Sequence, residues 1–208
     1  VPYQLNVDFS TADLNIINQA QEQVVIVKQV NGSSSASSVA WVAFNPLPAN
    51  SVTWSDSYTL YATRTQLQSN ATIQMLAQAT AMETESLPFT STATFGPADP
   101  TVVLPSDTYG VENQYTVTPY MTFGLAQAAN ITGSGVPASP INAVMVPENQ
   151  SATFEPLDVI QVFLMANVNN GMVLSSVQSK AITVTFGAGV NEHTITYNAA
   201  IGGFQLTS

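Results

Sequence analysis

The segment Ser51 to Leu60 places the tightest constraint on the fold. Val52, Trp54, Tyr58 and Leu60 are apolar, while Ser51, Thr53, Ser55, Ser57 and Thr59 between them all carry hydroxyls. A two-residue period sends the two sets to opposite faces of a strand, whereas a helix would scatter both around its axis. The segment therefore predicts a half-buried β-strand, with Asp56 the one break in its apolar row. Ile182, Val184 and Phe186 alternate with Thr183 and Thr185 in the same way, and Thr194 to Tyr197 continues the pattern. Val39 to Phe44 is apolar on both faces, as a strand inside a sandwich requires. Gln23 to Val30 reads as a further strand. Twelve prolines and eleven glycines punctuate these runs at short-strand intervals. The expected class is all-β.

One stretch departs from the two-residue period. Ser10 is a good helix cap with Asp13 three residues on, and Leu14, Ile16, Ile17 and Ala20 follow at helical spacing. A short helix over about residues 11–22 is expected there. Ser33 to Ser38 is low-complexity Ser/Ala and reads as a flexible surface loop.

Landmarks recur along the chain. Gly32-Ser33 returns as Gly133-Ser134, Pro46 as Pro147, Thr53-Trp54 as Thr153-Phe154, and Thr92 to Gly96 as Thr183 to Gly187. This order predicts a tandem duplicated β-sandwich, with one unit over 1–115 and a second over 116–208. The turn-rich stretch from Gly96 to Gly110 leads to the expected junction near 113–118.

Charge excludes several functions. Only 8% of residues are charged, with 3 Lys+Arg against 13 Asp+Glu and a net charge of −10. Lys28, Arg64 and Lys180 cannot form the basic stripe that nucleic acid or an anionic membrane surface requires. Without cysteine there is no thiol nucleophile, zinc finger or disulfide, and a single His193 rules out paired-histidine metal sites. No acidic spacing resembles a calcium loop, so no metal is expected. The longest apolar runs, Val24 to Val27 and Val159 to Ala166, are strand-sized rather than membrane-spanning. The first residue is Val1, with no basic and apolar leader behind it, which reads as a processed or trimmed chain. A surface this poor in charge offers little opposition to self-association, and a homodimer is expected.

Candidate chemistry is sparse. His193 shares a strand face with Ile195 and Tyr197, while Glu192 points away, so a structural histidine is the expectation. No GxSxG elbow accompanies it. Asp56, Glu148, Glu155 and Asp158 are the carboxylates available for glycosidase-type work, but thirteen acids supply such pairs by number alone. Lys28 and Lys180 are the only side-chain amines open to Schiff-base chemistry, and both read as surface lysines. Trp41, Trp54, Tyr58 and Tyr61 form the densest aromatic region and are the candidate ligand-binding residues. Trp54 and Tyr58 lie on the apolar face, which favours core, while Tyr61 lies on the hydroxyl face and is the better surface candidate.

The stretch Trp41-Val-Ala-Phe-Asn-Pro-Leu-Pro-Ala-Asn-Ser-Val-Thr-Trp54, continuing through Tyr58 and Tyr61 to Thr63, resembles a family of small acidic fungal proteins. These accumulate in fruiting bodies and sclerotia, and include the pink chromoprotein of an oyster mushroom. The resemblance implies a non-enzymatic, accumulating protein that binds a small aromatic pigment. The expected function is thus a non-catalytic binder of a small planar ligand or a storage protein, with a carbohydrate-binding module or lectin as the alternative.

Overall fold

The computed structural model describes residues 2–32, 36–177 and 180–207. β1 (Tyr3–Asp8) leads through α1 (Thr11–Gln19) to β2 (Glu22–Gly32), β3 (Ser37–Ala40), β4 (Val42–Phe44), β5 (Ala49–Trp54), β6 (Tyr58–Thr63), β7 (Ala77–Thr80) and β8 (Ser86–Phe89). There follow β9 (Tyr109–Asn113), β10 (Tyr120–Ile131), β11 (Ser134–Pro140), β12 (Asn142–Pro147) and β13 (Ser151–Ala166). β14 (Met172–Val173), β15 (Ile182–Thr185), β16 (Glu192–Asn198) and β17 (Gly203–Thr207) complete the described elements. The all-β class holds.

These strands form an 11-stranded and a 6-stranded sheet, packed together as a sandwich. The rows that alternation marked as apolar face inward: Val52, Trp54, Tyr58 and Leu60 are all at most 6% exposed. Fully burying such side chains stabilises by about 2–3 kcal/mol each, so the rows, rather than strand propensity, hold the sheets together.

The pairing does not follow a division at 115/116. β1 pairs with β16 and β2 with β13, so both sheets mix strands from the two segments, and one core cluster runs from Tyr3 to Phe204. The repeated landmarks occupy unlike places. Thr53-Trp54 closes β5 in the larger sheet, Thr153-Phe154 lies in β13 of the smaller one, and Thr92 to Gly96 is turn where Thr183 to Thr185 is strand. The two expected units are therefore corrected to a single pair of mixed sheets.

α1 matches its expected start. Ser10 Oγ accepts from the Asp13 amide at 3.1 Å and caps the helix. The helix stops at Gln19 because Gln21 takes φ 55° and β2 begins at Glu22. Ser10→Ala is expected to lower stability by about 1 kcal/mol in urea unfolding. Of the expected Ser33–Ser38 loop, Ser33 to Ser35 lie outside the described residues. Ser37 and Ser38 belong to β3, held by pairing with Ala143 and Asn142.

β13 positions the site. Along β2 it runs in register until Pro156 faces Val30, and resumes where Ile160 faces Lys28, so four steps of β13 match two of β2. On its other edge β13 pairs with β9 up to Phe154 and with β15 from Val159 onward. Pro156 has no N–H to give to a ladder, and the extra residues bulge. The bulge opens a gap between β9 and β15.

Candidate functional site

A cavity of about 320 Å3 fills that gap, lined by Asp56, Tyr58, Glu83, Asp107, Tyr109 and the bulge residues Glu155 to Asp158. Asp56 comes from the turn joining β5 to β6, Glu83 and Asp107 from turns before β8 and β9. Five carboxylates and two tyrosines thus meet where the ends of the two sheets approach. The Tyr58 and Tyr109 rings lie 5.3 Å apart, edge to face.

Of the four candidate carboxylates, the fold gathers Asp56, Glu155 and Asp158 into this cavity. Glu148 lies outside it, beside Asn149, whose Nδ2 donates to the Glu148 carboxylate. Asp56 and Asp158 act on the same neighbours. Burial first, then these two carboxylates, raise the Tyr3 hydroxyl above its ordinary pKa. Burial and then Asp56 do the same to Tyr58, and burial followed by Glu83 and Asp107 to Tyr109. The tyrosines are therefore neutral hydrogen-bonding groups, and the carboxylates supply the negative potential.

The floor of the cavity is a polar chain that leads into the core. Tyr58 Oη donates to Asp56 Oδ1 at 3.3 Å and accepts from Lys28 Nζ at 2.9 Å. Lys28 Nζ also donates to Gln127 Oε1 at 3.1 Å. Gln127 is held in turn: its Nε2 donates to Ser55 O at 2.7 Å, and its backbone O accepts from Trp41 Nε1 at 2.9 Å. The expectation of a surface Lys28 is corrected, since the side chain is 3% exposed. Burial pulls its ammonium down to about 8, with Asp56 and Asp158 opposing the shift. Lys28 continues the inward row of Val24 and Ile26 on β2, and that spacing was the signal for its burial.

The four candidate aromatics separate. Trp41 and Trp54 meet edge to face at 5.4 Å, and Tyr3 stacks on Trp54 at 5.7 Å, so both tryptophans are core. Tyr58 is core on one side and cavity wall on the other. Tyr61, expected at the surface, is 0% exposed and donates from Oη to Asn142 O at 2.6 Å. The reason is long-range. Val39, Ile73, Ala126, Ala143 and Val173 cover the second face of the larger sheet, so the hydroxyl row of β6 does not meet water at this position. Sequence reasoning missed Tyr109, Asp107 and Gln127, and set Glu83 aside on spacing; only the fold brings them together.

His193 packs against Phe186 at 4.9 Å, and its Nε2 lies 2.9 Å from Thr185 O. Among the described residues no three His, Cys, Asp or Glu side chains are grouped to hold a metal ion, and no helix is long and apolar enough to cross a membrane. No family model, curated protein or solved structure matches the chain.

Proposed function

We propose that this protein is a non-enzymatic binder of a small planar ligand, and that the ligand is an organic cation held in the acidic cavity. One observation carries the reading: Tyr58 and Tyr109 offer aromatic walls to a cavity bordered by five carboxylates. Its size lies within the range of small-molecule sites. Aromatic faces attract cations through the ring quadrupole, and the carboxylates reinforce that potential. Three of the carboxylates come from separate turns and two from the β13 bulge, and no three converge, which suits a delocalised organic charge better than a metal ion. A pigment of the kind the fungal resemblance implies fits this chemistry if it is cationic.

Proflavine, a planar cation, is the probe. Saturable binding that weakens with salt is expected, with at least about a tenfold loss in the Asp56→Asn, Asp158→Asn double variant. Equal affinity for a neutral planar analogue, or no binding, overturns the reading. Storage without a ligand then remains, and colourless source protein with no co-purifying molecule supports it. Native mass spectrometry of the same sample reads the expected homodimer. The lectin alternative loses Tyr61 as its stacking face, and a glycan array without signal removes it.

A further inference from the structure

Lys28 borders a second cavity, of about 260 Å3, together with Asn31, Ser38, Asn142 and Gln161. Asn142 is 3% exposed, and its Nδ2 has no hydrogen-bond partner. The side chain has no freedom to find one, because its Oδ1 accepts from the Leu125 amide at 2.8 Å. A buried donor left unmatched costs about 1–3 kcal/mol, and an acceptor oxygen in the cavity would recover it. Lys28 makes two hydrogen bonds, both to neutral oxygens, and an ammonium has three protons to give. Lys28 and Asn142 thus both border one small cavity.

We propose that Lys28 is a covalent attachment site for a small aldehyde, which condenses with its amine to an imine while Asn142 Nδ2 holds an oxygen of the ligand. The ammonium first passes a proton through Tyr58 Oη to Asp56, the path its hydrogen bonds already trace. The nitrogen lone pair then adds to the carbonyl carbon, and a proton moves from the nitrogen to the carbonyl oxygen to give a hydroxyl. Asp56 returns its proton through Tyr58 Oη to that hydroxyl, which leaves as water while the remaining nitrogen lone pair forms the C=N bond of a protonated imine. Nothing is oxidised or reduced, and one water is released for each imine. Burial favours the step, since a pKa near 8 leaves far more free amine at neutral pH than an unperturbed lysine has. The amine meets the floor of the acidic cavity through Tyr58, but the aldehyde would occupy the second cavity, and adduct mapping reads Lys28 whether or not a cation binds the acidic one.

The test is trapping. The whole protein is incubated with salicylaldehyde at neutral pH and reduced with cyanoborohydride, and adducts are mapped by peptide mass spectrometry. Lys180, which is exposed, is the internal standard. Labelling of Lys28 at least about tenfold over Lys180 is expected. The preference should persist in Lys180→Arg, vanish in Lys28→Met, and fall in Asn142→Leu without a change at Lys180. Equal or greater labelling of Lys180 in the native chain overturns the proposal, and that measurement requires no variant to fold.

Discussion

Gly124→Ala is expected to cost about 4 kcal/mol or more. Gly124 sits mid-strand in β10, and a Cβ there would lie 2.2 Å from Asn142 O and 2.8 Å from Tyr61 Oη. Neither atom has room to retreat. Tyr61 Oη donates to that same Asn142 O at 2.6 Å, and the Asn142 side chain is tied to the Leu125 amide. The added methyl must break a buried hydrogen bond or part β10 from β12, and both outcomes lie at the costly end of overpacking. Gly135→Ala is the control, because no atom lies within 4 Å of its Cβ position and its φ is ordinary. It should shift stability by no more than about 0.5 kcal/mol. Urea midpoints of the two variants decide the matter. A Gly124→Ala protein as stable as the control would show that the β10–β12 contact is not tight.

The second large effect concerns pH. Lys28 falls from an unfolded value of 10.5 to about 8 in the fold, so between those values the unfolded chain binds a proton that the native state does not. Stability therefore rises with pH across that window, by about 3 kcal/mol when the shift is converted at about 1.4 kcal/mol per unit. Tyr58 and Tyr61 act in the opposite sense above it. Their folded values are raised by burial, so the stability they contribute is complete below about pH 10 and is lost as unfolded tyrosine ionises. Maximum stability is expected near pH 9–10, well above the range usual for proteins. Lys28→Met should flatten the profile between pH 8 and 10 while leaving the alkaline fall in place. Urea unfolding at unit pH intervals measures both arms. A wild-type profile already flat from pH 8 to 10 would contradict the buried ammonium.

Legibility followed range. The buried row of Val52, Trp54, Tyr58 and Leu60 was readable because its cause is local: alternation decides which face meets the partner sheet. Ser10 was readable for the same reason, since a cap acts on its own first turn. Tyr61 was not, because what covers it comes from segments near residues 39, 73, 126, 143 and 173. Lys28 was half legible. Its place in the row of Val24 and Ile26 pointed inward, but its charge argued for solvent, and the outcome rests on Tyr58 and Gln127, which lie 30 and 99 residues away. The acidic cavity was beyond sequence reasoning, since the β13 bulge assembles it from four separate turns and strands. The repeat was misread because Gly, Pro and Thr mark turns and edges in any sandwich, whatever its ancestry.

The parallel pairing of β1 with β16 also bears on how the chain reaches its fold. Gln4 aligns with Glu192 and Asp8 with Thr196, so residues 3–8 find one of their two neighbours only after residue 196 has emerged from the ribosome. On the other side β1 lies against β5, which is available early. During synthesis the nascent chain thus carries an open strand edge for most of its length. Contacts so distant in sequence slow folding. They also leave that edge exposed to pairing with other chains. Asn6 and Glu192, whose side chains are bonded at 2.8 Å in the finished sheet, place polar groups on this seam. Until the seam closes, Asn6 helps keep the β1 edge hydrated.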